Sequence, residues 1–296
     1  MNFLQAIILG IVQGLTEFIP ISSTAHLVFA SRFTNLYGGQ PEQVTATIAV
    51  MQLGTLLAVF VYFAPDILSI IAAFVRDHWN LLTRKRNVRF SGTHGVRPIW
   101  LSEEAWLGWL IILGSIPIGI VGLIFKEEIE GAFTKNLWII AVMLIVVAIL
   151  LAIAEAVGSQ RKEIKDFGLI DAIVVGFSQV LALLPGASRS GSTIMGGLFA
   201  GQKREAAARF SFLLSIPAIS ASGLLELREA WALLPQESFA PLLVGTLVSA
   251  VVGYLSIWFL LAFLRKKSTA IFIVYRLVLG VTILVLLWTN VITPQI

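Results

Sequence analysis

Six stretches of the chain are apolar for long enough to cross a hydrocarbon core, which takes about 20 helical residues: 45–64, 105–125, 137–155, 205–226, 240–264 and 272–290. They predict six transmembrane helices. Two further apolar segments, 3–33 and 168–200, are interrupted by Pro20 and Pro185, and polar residues crowd just after each proline. Such broken segments turn back within the membrane. Backbone is tolerated there only where protein or a water-filled cavity satisfies it, so each break is predicted to line a cavity. The fold class expected is an all-α polytopic membrane protein, one domain over 1–296, with about six spans and two re-entrant helical hairpins.

The two broken segments resemble one another. Gly10-Ile-Val-Gln13-Gly-Leu15 precedes Pro20 and serines, and Gly176-Phe-Ser-Gln179-Val-Leu181 precedes Pro185 and serines, about half the chain further on. Three spans accompany each break, and an odd number of crossings inverts the second copy, giving repeat halves of about 1–155 and 165–296. Paired broken helices in corresponding halves point to a site near the midplane between inverted repeats. Basic loops set the orientation. Arg76, Arg84, Lys85, Arg86, Arg89 and Arg97 lie in one, Arg161, Lys162 and Lys165 in the next, and Arg265, Lys266 and Lys267 in the third. These three are expected to be cytoplasmic. The loops holding Glu127, Glu128 and Glu130, and Glu226, Glu229 and Glu237, are expected to face outward. The stretch from Asp77 to Glu104 reads as a long basic loop facing anionic lipid.

Composition agrees with a lipid-embedded fold: 57% of residues are hydrophobic and only 13% charged, against roughly 25% charged in soluble domains. The sequence pI is near 9.5, but the net charge is only +4 and the cations sit in loops, so positive-inside topology accounts for it and no nucleic-acid partner is expected. Cysteine is absent, which excludes disulfides, thiolate metal sites and a cysteine nucleophile. Residues 1–10 lack a basic leader, so no cleavable signal is expected.

Chemistry concentrates at the breaks. The first reads Gln13-Gly-Leu-Thr-Glu17-Phe-Ile-Pro-Ile-Ser22-Ser23-Thr24-Ala-His26. Gln13 and Glu17, four apart, share a helix face. An ionisable group at membrane depth costs at least ~2.5 kcal/mol on insertion scales and by default marks function; the plainer reading puts Glu17 and His26 at the interface. The second break reads Pro185-Gly-Ala-Ser188-Arg189-Ser190-Gly191-Ser192-Thr193. Glycines permit tight turns, helix-opening amides favour an anion, and the Arg189 fork matches phosphate oxygens. Hydroxyls of Ser188, Ser190 and Thr193 can add bonds, so this is a phosphate cradle without the lysine of a Walker loop. The plainer reading is a serine cap with an arginine at headgroup level. An anion cradle beside a carboxylate, a hydroxyl and an imidazole suits phosphoryl transfer.

At these residues the chain resembles the membrane undecaprenyl-diphosphate phosphatase family of the bacitracin-resistance type. The family's (E/Q)xxxE followed by PxSSTxH matches Gln13 through His26, and its PGxSRSxxT matches Pro185 through Thr193; Gln52-Leu-Gly-Thr55 and Phe210 through Leu214 are secondary matches. The resemblance implies six spans with two re-entrant hairpins, and hydrolysis of undecaprenyl diphosphate to the monophosphate and phosphate, recycling the carrier for peptidoglycan and other envelope polymers. It also implies bacitracin resistance, a bacterial plasma-membrane location, an outward-facing site and dependence on a divalent cation, Mg²⁺ or Ca²⁺. Carried over, Glu17 is the acid that binds metal or manages protons, Ser23 the candidate nucleophile, and His26 its base or the acid for the leaving phosphate. Ser188, Arg189, Ser190 and Thr193 hold the diphosphate, with Gln13, Ser22 and Gln52 in support. The chain departs from the family at Gln13, where the alternative is an acid, at Ala25, often glycine, and at Ile48, where many members carry an acid. One carboxylate is a thin metal site, but Mg²⁺ keeps waters and binds through one or two carboxylates plus substrate phosphates, so the metal is expected to arrive with the lipid.

The rival reading is a lipid-phosphate flippase or transporter using the same site, since inverted repeats meeting at broken helices are transporter architecture. A carrier needs the arginine cradle but has no evident use for Glu17, Ser23 and His26 beside it. Partners expected are the polyprenyl diphosphate and membrane lipids, with homodimerisation left open.

Overall fold

The structure is a computed structural model that describes residues 1–83, 97–98, 100–125 and 136–294. Its α-helices, in chain order, are α1 (Phe3–Phe18), α2 (Ser23–Phe33), α3 (Pro41–Tyr62), α4 (Ala64–Leu82), α5 (Glu103–Ile124), α6 (Leu137–Val157), α7 (Leu169–Val180), α8 (Arg189–Phe199), α9 (Arg204–Leu233), α10 (Phe239–Leu264) and α11 (Ala270–Trp288). The protein is an all-α polytopic membrane protein. Among the described residues five helices are long and apolar enough to cross a membrane, namely α3, α5, α6, α10 and α11, and the sixth expected span, 205–226, falls within α9. On α10 the lipid-facing stripe is plain: Leu247, Val251, Leu255 and Trp258 are exposed, while Leu242, Gly245, Ser249, Gly253, Ser256 and Leu260 are buried.

Both broken segments stop for the same reason. A residue before proline is pushed out of the helical region: Ile19 is extended (φ −65°, ψ 132°) before Pro20, and Leu184 is extended (φ −85°, ψ 127°) before Pro185, after one 3-10 turn at Leu181–Leu183. Helix resumes at Ser23 and at Arg189, so α1–α2 and α7–α8 are the two expected hairpins.

Each hairpin packs on a helix distant in the chain. α1 packs on α10, and α7 packs on α5, in each case through a pair of glycines. A β-carbon at Gly10 would lie 2.4 Å from the Gly245 carbonyl oxygen, and one at Gly176 would lie 2.6 Å from that of Gly114. Other helices far apart in the chain also pack together, with α10 on α3, α5 on α9, α6 on α11 and α3 on α9. Each re-entrant hairpin is thus held by a helix from a distant part of the chain. Because backbone blocks the space, Gly10→Ala is expected to destabilise the bundle by about 1–3 kcal/mol, the usual cost of overpacking, read as a lower thermal midpoint in detergent.

One segment differs from the sequence expectation. Residues 64–82 form α4, and the basic loop does not start at Asp77. Helix follows directly on α3, because Phe63 still donates to the Val59 carbonyl (2.9 Å) and accepts from Ile67 N–H (2.8 Å), while Pro65, lacking an N–H, fits the first turn. Arg209 of α9 pairs with Asp66 (3.0 Å) and lies over the Phe63 ring, 5.8 Å from its centroid. Ile70 and Phe74 cover Gly108 of α5, and buried Asp77 accepts from Ser102 N–H (2.7 Å), the residue that caps α5. Arg84, Lys85, Arg86, Arg89, Glu127, Glu128 and Glu130 lie outside the described residues. The turns expected on one side do gather at one end: Lys203 pairs with Glu163 (2.6 Å), Arg265 donates to Glu205 (2.8 Å), and Trp106 Nε1 donates to the Phe167 carbonyl (3.1 Å).

Candidate active site

Ser22 caps α2 and Ser188 caps α8, each with a positive φ that L-residues rarely adopt (76° and 68°). Their hydroxyl oxygens accept from Ala25 N–H (3.4 Å) and Gly191 N–H (3.2 Å). A backbone of this kind costs of order 1–3 kcal/mol and persists only when its surroundings over-determine it. Here the surroundings are Arg276, a fully buried arginine on α11. Its Nη1 donates to the Pro20 carbonyl (3.3 Å) and its Nη2 to those of Gly186 (3.1 Å) and Ala187 (3.0 Å). Its Nε donates to the Leu144 carbonyl of α6 (3.2 Å). One guanidinium therefore satisfies the freed carbonyls of both breaks. Sequence reading passed over Arg276 because it stands inside the 272–290 span; a lone arginine in an apolar stretch was the available signal.

The breaks meet at an ion pair. Arg189, the first residue of α8, donates through Nη2 to Glu17 Oε1 near the end of α1. Glu17 is 7% exposed and is held on both oxygens: Gln52 Nε2 of α3 donates to Oε1 (3.1 Å) and Gln13 Nε2 to Oε2 (3.1 Å). Residues 13, 17, 52 and 189, expected together from the sequence, are together. Gln13 Oε1 is a buried acceptor without a hydrogen-bond partner among the described residues, and buried orphans of this kind call for an explanation. Among the described residues no three His, Cys, Asp or Glu side chains form a metal cluster, and Gln13 Oε1 is an amide oxygen left open beside Glu17.

The hydroxyls divide into two sets. Ser188 and Ser190 lie hydroxyl to hydroxyl (3.2 Å) at the opening of α8, beside first-turn amides that no preceding turn satisfies. Thr193 is turned inward, bonded to Ser211 Oγ of α9 (2.5 Å) and donating to the Arg189 carbonyl (2.8 Å); it ties α8 to α9 and steadies the residue that carries the guanidinium. Ser23 opens α2, partly exposed, and none of the hydrogen bonds among the described residues engages its hydroxyl. His26 is not bonded to Ser23: its Nδ1 meets the Ser22 carbonyl (2.7 Å) and its Nε2 the Tyr275 hydroxyl (2.6 Å). Ser211 falls inside the Phe210–Leu214 match without a role having been read for it, and Tyr275 is the other contact the sequence did not single out.

Chemically, a helix N-terminus and an arginine present donors to a phosphoryl group, and a buried carboxylate stands beside the guanidinium where charge must be balanced. Relatives of this chain carry that kind of chemistry in their names. The chain is 52% identical over 281 residues to an undecaprenyl-diphosphatase of Syntrophobacter fumaroxidans, covering 95% of each chain. It is 46% identical to an undecaprenyl-diphosphatase of Myxococcus xanthus, over 100% of this chain and 92% of that one. It is 42% identical to undecaprenyl-diphosphatase 2 of Streptomyces coelicolor, over 100% and 98% respectively. The family model for the bacitracin resistance protein BacA matches residues 6–282, and with that match and these identities the chain belongs to this family.

Proposed function

We infer that the chain is an undecaprenyl-diphosphatase, a membrane hydrolase that cleaves undecaprenyl diphosphate into undecaprenyl phosphate and inorganic phosphate. The observation that carries this reading is the Glu17–Arg189 pair joining the two breaks, with the free Ser23 hydroxyl opening the neighbouring helix. The prenyl tail lies along apolar helices and the terminal phosphate enters at the start of α8. Arg189 exchanges Glu17 for phosphate oxygens, joined by the Ser188 and Ser190 hydroxyls and the first-turn amides. The Ser23 oxygen, or a water in its place, attacks the terminal phosphorus. The bond from that phosphorus to the bridging oxygen breaks, and undecaprenyl phosphate leaves with the electron pair. A phosphoserine formed in this way is hydrolysed by water; direct attack by water gives phosphate in one step. Glu17, released from Arg189, takes up the proton that the attacking hydroxyl or water loses.

A divalent cation, Mg²⁺ or Ca²⁺, would add charge neutralisation when bound with the diphosphate. The Glu17 carboxylate and the orphaned Gln13 Oε1 are the oxygens that would hold it. Such a site fits an ion that keeps most of its water and leans on substrate phosphates. We place the protein in the bacterial plasma membrane with the site open to the outside, where the spent carrier diphosphate is recycled and bacitracin resistance follows. The symmetrical seating of both breaks on Arg276 is what favours the second reading, a lipid-phosphate flippase. Phosphate release from undecaprenyl diphosphate by detergent-purified protein, with and without chelator, separates the two. Hydrolysis that stops on chelation is the expected result; lipid binding without release makes the chain a carrier.

A further inference from the structure

Tyr275 precedes Arg276 on α11 and belongs to none of the motifs at the breaks. Its hydroxyl lies 2.6 Å from His26 Nε2, and the two rings are stacked, 11° from parallel with centroids 5.7 Å apart. The other ring nitrogen, Nδ1, lies 2.7 Å from the Ser22 carbonyl oxygen. A carbonyl has no hydrogen to give, so Nδ1 carries it. In a neutral imidazole Nε2 is then the acceptor and Tyr275 the donor. Both nitrogens are thereby taken, and neither by Ser23.

We propose that Tyr275 is a positioning residue for the hydrolysis. It fixes His26 as the Nδ1–H tautomer and, through His26, holds the carbonyl of Ser22, the strained cap residue. Ser23, the next residue, is thereby presented with its hydroxyl free. Arg276 grips the same turn two residues earlier, at the Pro20 carbonyl, so consecutive residues of α11 hold it at two points. A tyrosine hydroxyl both donates and accepts; it keeps its bond to Nε2 if the imidazole gains a second proton during turnover. In this arrangement His26 steadies the nucleophile's helix and does not withdraw its proton. An ordinary interface tyrosine would turn its hydroxyl toward headgroups, whereas this one is bonded to a side chain 249 residues away. The proposal rests on the reading of Ser23 as the attacking group.

The test combines ¹⁵N-histidine NMR of the full-length protein in detergent with steady-state phosphate release, for the native chain and Tyr275→Phe. The chain has three histidines, and His26→Gln assigns the resonance. Native His26 is expected as a single Nδ1–H tautomer with a hydrogen-bonded Nε2. Tyr275→Phe, which removes one oxygen and leaves the ring, is expected to shift Nε2 toward the free position and lower kcat about 10- to 100-fold, as loss of such supporting contacts does at other sites. KM should stay within about twofold, because the cradle at α8 is untouched. An Nε2–H tautomer in the native protein overturns the proposal, and so does a shifted resonance with native kcat. Absence of phosphate release from native protein that shows the expected tautomer would instead refute the phosphatase reading. Thermal midpoints of both proteins confirm that folded protein is compared.

Discussion

Arg189→Ala is expected to lower kcat for phosphate release from undecaprenyl diphosphate by about 10³-fold or more, the scale on which a single arginine acts in phosphoryl transfer. The charge on the transferring group is shared among its oxygens as the bond to the bridging oxygen lengthens, and the guanidinium at the start of α8 is the cation paired with Glu17 where the breaks meet. A loss concentrated in kcat marks an interaction strengthened in the transition state. Arg189→Lys should not rescue it, since an ammonium cannot reproduce a planar two-point grip. The same substitution leaves Glu17 buried with only Gln13 and Gln52 as donors. Removing one partner of a buried pair is worth about 3–5 kcal/mol of destabilisation, so Arg189→Ala should also melt earlier, and adding Glu17→Gln should recover most of the midpoint without activity. Near-native turnover in Arg189→Ala would mean that the diphosphate is held elsewhere.

Much of this site could be read from the chain because its residues break strong local rules. Proline inside an apolar run, followed by serines and an ionisable side chain, conflicts with the cost of opening backbone and charge to lipid, and Glu17, Gln13 and Arg189 do meet, joined by Gln52, which the family resemblance alone had marked. What stayed hidden depends on packing between distant segments. Arg276 breaks the same rule as Glu17, but no proline or serine marks its neighbourhood, and its partners are backbone carbonyls contributed by two turns and by α6. Tyr275 and Ser211 act through single bonds to other helices, which periodicity cannot register. α4 was missed for a different reason. Its charges, Asp66, Arg76 and Asp77, resemble a loop, yet they pair with Arg209, with each other and with the cap of α5, and its apolar side chains lie over Gly108.

Arg276→Met is expected to cost the protein its fold in the membrane. Methionine fills much of the volume but donates nothing, and the carbonyls of Pro20, Gly186 and Ala187 would be left buried without the donor that now satisfies them. Each such group costs about 1–3 kcal/mol, so together they rival the 5–15 kcal/mol by which a typical protein is stable. The expected readout is loss of the monodisperse peak in detergent size-exclusion chromatography. Arg276→Lys distinguishes structure from charge. Its ammonium keeps the positive charge and three donors, but one compact head cannot span the turns of both hairpins. That variant should fold with a reduced midpoint and turn over at least ~10²-fold more slowly, because a shift of about 1 Å in the reacting groups is enough for such a loss. If Arg276→Lys hydrolysed lipid at the native rate, the two breaks would hold their positive-φ caps unaided. The coupling of the two breaks would then reside in the Glu17–Arg189 pair, and the glycine contacts of α1 with α10 and of α7 with α5 would be what keeps that pair in register.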